Sequence, residues 1–217
     1  MRRAVLFDFG GVILTSPFEA FARFEREEGL PEGFLRRVNS TDPDINAWAR
    51  LERGQLDVAG FDVAFAEESG RLGHRVSGAV VLTLLGGDVR PSMVEALRRL
   101  RRHDDVSIGL LTNNFVAGGE GAGVPPAWAE VLGMFDAVVE SSRVGVRKPD
   151  RRFYEIACNE LAIEPSDAVF LDDLGVNLKP AREMGMATIK VGDPTEALRQ
   201  LSSIVGIDLL GPEPHRR

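Results

Sequence analysis

The second half of the chain alternates, and the alternation leaves few folds open to it. Short apolar runs at Ser107–Thr112, Asp136–Glu140, Ala168–Leu171 and Ala187–Val191 read as strands. Between and after them lie helical patterns at Asp150–Ile163, Leu174–Met184 and Thr195–Ile204. Apolar strands interleaved with amphipathic helices imply a parallel sheet covered on both faces. Ala4–Phe9 is a further apolar run, broken by one acid, Asp8, and followed by Gly10-Gly11. From Pro17 to about His103 the periodicity is almost wholly helical, with apolar residues at helix spacing around Phe18–Phe24, Ile45–Leu51, Val58–Ser69 and Val94–Leu100. The sheet is therefore expected to carry a helical insert after its first strand.

Composition narrows the class further. The chain has 217 residues, 44% hydrophobic and 27% charged, which are globular values. Lys+Arg is 26 against Asp+Glu 33, a net charge of −7, so neither nucleic acid nor a membrane surface is an expected partner. Cys158 is the single cysteine and the three histidines are scattered, which excludes an intrachain disulfide and disfavours a zinc site. Asp8 arrives too early for a secretory signal, and no apolar stretch approaches the ~20 residues a bilayer span needs. The expected location is cytoplasmic. Oligomeric state is not legible.

The polar residues at the strand ends carry the chemistry. Asp8 ends the first strand, Thr112-Asn113 the second and Asp172-Asp173 the fourth. In a parallel sheet these ends share one edge, where ligands bind. Three carboxylates facing one another need a cation, and with no histidine or cysteine near them they suit a hard, oxygen-preferring ion such as Mg²⁺. Lys148, in the loop after Glu140, reaches the same rim and could hold a phosphate beside an ionised Asp8. Singly, each residue reads as a turn, a cap or a solvated charge. The order of acid, threonine, lysine and double acid, each in its strand context, is what selects a site.

That order resembles the haloacid dehalogenase (HAD) superfamily over nearly the whole chain, in the segments FDFGGVIL, LLTNN, GVRKPD and FLDDLGVNLKPAREMGM. The likeness is greatest to the phosphatase domains of soluble epoxide hydrolases and the related domains fused to some acyl-CoA dehydrogenases. It implies an α/β fold, a three-layer Rossmann-like parallel sheet core (1–15 and 90–217) with an inserted α-helical cap (16–89); the length of the cap and the completeness of the core suggest a unit that stands alone. It implies a hydrolase that takes a small phosphorylated molecule and uses Mg²⁺. Asp8 would be the nucleophile, forming an aspartyl-phosphate. Thr112, Asn113 and Lys148 would bind the phosphoryl group. Asp173 would ligate Mg²⁺ with Asp8 and the carbonyl of Gly10, Asp172 would act behind them or through water, and Asn177 would orient a metal-bound water.

One position departs from the pattern. The phosphatases of the superfamily carry a second Asp two residues after the nucleophile, which protonates the leaving alcohol; here it is Gly10. Three readings answer the departure. The chain is a slow phosphatase, with a cap acid such as Glu19 or Asp44 or a water in place of the shuttle. It is a dehalogenase, since halide leaves without a proton, although Asp172-Asp173 argues for metal. Or it is a binding or regulatory module that takes a phosphorylated ligand or a partner and hardly turns over. In the cap, Phe18, Asn46, Trp48, Arg50 and Arg53 are candidates for the rim, each with packing or solvation as the plainer reading. Cys158 reads as a small buried residue, Arg98-Arg99 and Arg101-Arg102 as a solvated face, Val116–Pro126 as a mobile connection and Pro212–Arg217 as a frayed tail.

Overall fold

The structure, a computed structural model, describes residues 3–114 and 126–211. The expected connection over Val116–Pro126 and the tail from Pro212 fall almost wholly outside them. Five strands, β1 (Arg3–Phe7), β2 (Val106–Thr112), β3 (Ala137–Glu140), β4 (Ala168–Asp172) and β5 (Ala187–Lys190), form one sheet in the order β3-β2-β1-β4-β5. Every pairing is parallel. β1 lies at the centre, and its register sets Phe7 beside Leu110 and Leu171. The carboxyl ends of β1, β2 and β4 therefore form one edge.

Between β1 and β2 come α1 (Phe18–Glu27), α2 (Phe34–Ser40), α3 (Ala47–Glu52), α4 (Val58–Arg71), α5 (Gly78–Thr83) and α6 (Pro91–Leu100). After β2 follow α7 (Pro126–Leu132), α8 (Ser141–Val144), α9 (Arg151–Leu161), α10 (Gly175–Glu183) and α11 (Pro194–Val205). Alternation along the strands sends side chains to opposite faces. Val5 and Phe7 pack with Leu97 of α6 and Leu201 of α11. Ala4 and Leu6 pack with Phe153 and Tyr154 of α9 and Leu178 of α10. Two apolar layers thus sandwich the sheet, the expected three-layer α/β architecture.

The helical insert has an apolar cluster of its own, with Phe21, Phe34, Leu35, Leu51, Phe61 and Phe65. Its two connections run side by side. Leu14 and Val89 form an antiparallel bridge, and the Thr15 N–H donates to the Asp88 carbonyl at 2.9 Å. The helices α2 and α5 are short, and the sequence periodicity does not single them out. A buried carboxylate explains α2: Glu25 accepts from the Gly33 and Leu35 N–H groups at 2.8 and 2.9 Å, satisfying donors at the helix start. Among the described residues no helix is long and apolar enough to cross a membrane.

The first strand is shorter than the sequence pattern implies. β1 stops at Phe7, while the Asp8 N–H still donates to the Leu171 carbonyl at 2.9 Å. Phe9–Ile13 then form a wide helical turn in which Gly11 sits at φ +78°. Only glycine adopts that conformation freely. A Cβ at Gly11 would also overlap the Asp173 carboxylate, so this glycine lets the two acid-bearing segments approach.

Candidate active site

Asp8, Thr112 and Asp172 come together at the carboxyl edge of the sheet, each at most 9% exposed. Lys148 joins them from the loop after α8, with its side chain buried. Its ammonium lies 2.7 Å from Asp8 Oδ1 and 2.8 Å from Asp172 Oδ2. Asn113 fixes this loop. Its Oδ1 accepts from the Lys148 N–H at 2.8 Å and its Nδ2 donates to the Lys148 carbonyl at 3.0 Å. Both ends of that amide grip the lysine's backbone. The sequence reading assigned Asn113 to phosphate; in the structure its contacts hold Lys148.

Asp172 is fully engaged. Besides Lys148 it accepts from Asn177 Nδ2 at 3.0 Å on each oxygen and from the Leu174 N–H at 2.8 Å. Asn177 therefore holds Asp172, where the sequence reading expected it beside a metal-bound water. Tyr154 anchors the start of α10 by donating to the Asn177 carbonyl at 2.6 Å. The Asp173 carboxylate has no ion-pair partner among the described residues and lies against Gly11. Gly10 is exposed, with its backbone at φ −71°, ψ 129°.

Carboxylate oxygens of Asp8, Asp172 and Asp173 lie within 4.8 Å of one another. One lysine among three carboxylates leaves an excess of negative charge, and the donors are hard oxygens. The set fits a divalent cation such as Mg²⁺, with Asp8 and Asp173 the available ligands because Asp172 is already saturated.

The electrostatics agree. Burial raises Asp8 to about 7 against the pull of Lys148, with Asp172 and Asp173 adding to the rise. Burial and then Asp172 raise Asp173 to about 6. Burial opposes the Lys148 charge, but Asp172 and Asp8 more than reverse this and leave its pKa above the ordinary lysine value. A carboxyl whose folded pKa is raised gives stability below its unfolded pKa and loses it as the pH climbs through the folded one. The metal-free chain should therefore lose stability as the pH rises from about 4 to about 7. Denaturation midpoints across that window would check this. Asp8→Asn should flatten the slope, and added Mg²⁺ should oppose it most at the alkaline end. A slope unchanged in the variant would refute the assignment.

The cap candidates divide. Asn46 caps α3, accepting from the Ala49 N–H and donating to the Asn39 and Thr41 carbonyls, so it serves the insert's own fold. Phe18 lies under the Arg36 guanidinium, Arg53 donates to the Asp44 carbonyl, and Arg50 is exposed. Glu19 and Asp44 are exposed. Trp48 packs against Phe61 and donates from Nε1 to Glu52 at 2.9 Å. Glu52 and Arg147, which the sequence reading gave no role, join the insert to the site. Arg147 Nη1 donates to Glu52 Oε2 at 2.6 Å, and both side chains are largely buried.

Residues 2–185 match the haloacid dehalogenase-like hydrolase family. The chain belongs to that family. It is 33% identical to mouse acyl-CoA dehydrogenase family member 10 over 99% of this chain and 20% of the relative. It is 34% identical to pig bifunctional epoxide hydrolase 2 over 96% of this chain and 40% of the relative. The chain thus spans well under half the length of those two proteins. Sesquiterpene phosphatase astK of Aspergillus oryzae is 25% identical, over 94% of this chain and 97% of its own. A HAD family enzyme of Bacteroides thetaiotaomicron, crystallised with magnesium and inorganic phosphate, shares the fold at a TM-score of 0.59, with 20% identity over 89% of this chain and 96% of its own. This HAD-like hydrolase thus shares both sequence and architecture with its relatives.

Proposed function

We propose that this HAD-like hydrolase is a Mg²⁺-dependent phosphatase acting on a small phosphorylated molecule through Asp8. The observation that carries the reading is Lys148, a buried ammonium held between Asp8 and Asp172, with Asp173 beside them and without an ion-pair partner among the described residues. A phosphatase among the relatives, and a related fold bound to magnesium and phosphate, support it.

Asp8 and Asp173 would hold the Mg²⁺, which supplies positive charge against the phosphoryl oxygens. Lys148 and Thr112 would bind the same group. An Asp8 oxygen attacks phosphorus, the P–O bond to the leaving group breaks, and that oxygen departs with the electron pair. Water then attacks the aspartyl-phosphate, which frees inorganic phosphate and restores the Asp8 carboxylate. Asp172, saturated by Lys148, Asn177 and Leu174, keeps the lysine aimed at the transferring group.

Hydrolysis of p-nitrophenyl phosphate tests the reading, because that leaving group needs little acid catalysis. Turnover that requires Mg²⁺ is expected. Its absence would refute the phosphatase and favour a module that binds phosphorylated ligands.

Gly10 supplies the second test. Among the described residues no heavy atom beyond its chain neighbours lies within 4 Å of where its Cβ would stand, and its backbone is ordinary extended chain. An aspartate is therefore sterically allowed there. Gly10→Asp is expected to raise turnover of alkyl phosphates by about 10²-fold, the lower end of what a placed general acid contributes. The aryl ester should gain far less. Equal rates on the alkyl ester in both proteins would show that the proton comes from another group.

A further inference from the structure

Glu52 is the only insert side chain that the described residues tie by ion pair to the lysine loop. Its Oε1 accepts from Trp48 Nε1 at 2.9 Å, within the insert. Its Oε2 accepts from Arg147 Nη1 at 2.6 Å and lies 3.4 Å from Asn113 Nδ2. Arg147 adjoins Lys148, and Asn113 is the residue that grips the Lys148 backbone from both sides. One buried carboxylate of the insert thus touches the two groups that determine where Lys148 sits. The Arg147 guanidinium also donates to the Pro43 carbonyl, a second link from this loop into the insert. Nearby, a Cβ at Gly54 would lie 2.8 Å from the Ser142 carbonyl, so the two bodies are in close contact here.

We propose that Glu52 is a positioning residue for the lysine: seated on the core, the insert uses Glu52 to hold Arg147 and Asn113, and through them Lys148, where the ammonium meets the transferring phosphoryl group. The proposal rests on the phosphatase reading for its kinetic consequence and not for its structural one. The Arg147 ion pair is the shorter and stronger of the two contacts, so removing either of its partners cuts the same tie, and Glu52→Gln weakens the longer Asn113 contact on the same path. Losses along a shared path do not add. The insert then contributes to the rate of the chemical step as well as to enclosing the substrate. Burial keeps the pair effective, because solvent screens it little.

Glu52→Gln, Arg147→Gln and the double variant test this. With p-nitrophenyl phosphate and Mg²⁺, each single variant should lower kcat about tenfold with KM within about twofold, and the double variant should be no worse than the poorer single. Effects that multiply, or a fall in melting temperature with kcat intact, would overturn the proposal. A second readout needs no turnover. The Lys148 N–H donates to Asn113 Oδ1, so its hydrogen exchange should quicken about tenfold in Glu52→Gln while amides of the α9 interior keep their rates. Unchanged exchange at Lys148 overturns the proposal even if the wild-type chain hydrolyses phosphate esters. Faster exchange in Glu52→Gln, beside a wild-type chain that shows no turnover, upholds the positioning and refutes only the phosphatase.

Discussion

Asp8→Asn removes turnover, by about 10⁴-fold or more, and leaves the chain at least as stable as the wild type above neutral pH. The two halves of this result have one cause. The attacking atom is a carboxylate oxygen, and an amide of the same shape has no lone pair of comparable nucleophilicity. The same carboxylate is ionised at the expense of the fold, because burial raises it to about 7. Asparagine fills its volume without the charge, and Lys148 keeps Asp172 as a partner at 2.8 Å. The measurement is p-nitrophenyl phosphate hydrolysis beside thermal melting at about pH 8 without metal. A variant that keeps its activity would remove Asp8 from the chemistry altogether. One that loses activity only by unfolding would leave its role undecided, which is why the melt accompanies the assay.

Lys148→Met has the opposite signature, losing both activity and stability. The methionine stem fills the apolar part of the site, but Asp8 and Asp172 are left buried without the ammonium that lies between them. Breaking a buried ion pair by removing one partner costs about 3–5 kcal/mol. For a chain of this size that is a fall in melting temperature on the order of 10 °C. The sign with pH follows from the carboxyls. Without the lysine the Asp8 carboxyl, already raised by burial, rises further, so the loss is smallest in acid and grows as the pH passes neutrality. Melting curves over that range check it. A variant as stable as wild type at about pH 8 would mean that water reaches the acids and that the site is far less enclosed than their burial indicates.

Much of this architecture is legible in the residues, for reasons that differ by element. Strands such as Val106–Thr112 are buried along their whole length and show as apolar runs, and the helices that cover them show their period. The strand order is not written in any run, because it depends on how the crossovers pack. Asp8, Thr112, Lys148 and Asp172 could be expected to meet because each ends or follows a strand, and strand ends in a parallel sheet converge. Gly10 was found by what it lacks. The protein contacts of Asn113 and Asn177 were not legible, because an amide's partner is set by geometry a few ångströms across, which spacing along the chain does not encode. Glu52 and Arg147 escaped for a related reason. They lie 95 residues apart, in segments where charges ordinarily face solvent, and only the seating of the insert brings them together. Arg50 and Arg53, the neighbours singled out in their place, carry the same charge signal without the contact. The one available clue was Glu52 four residues after Trp48, a spacing that places a carboxylate under an indole on one helix face.

The bridge between Leu14 and Val89 makes the insert a detour that returns to its own starting point. To the sheet, everything between those two residues is equivalent to a tight reversal of the chain. The entropy of closing a detour grows only with the logarithm of its length, so a longer or shorter one costs the core little. The neck is thus a grafting point. Inserts of different size can be exchanged there without altering strand register, and substrate choice can be re-engineered as an exchange of parts. The graft has one stringent requirement, a carboxylate delivered opposite Arg147; an insert that folds well but lacks it would enclose a new substrate over a lysine left loosely aimed.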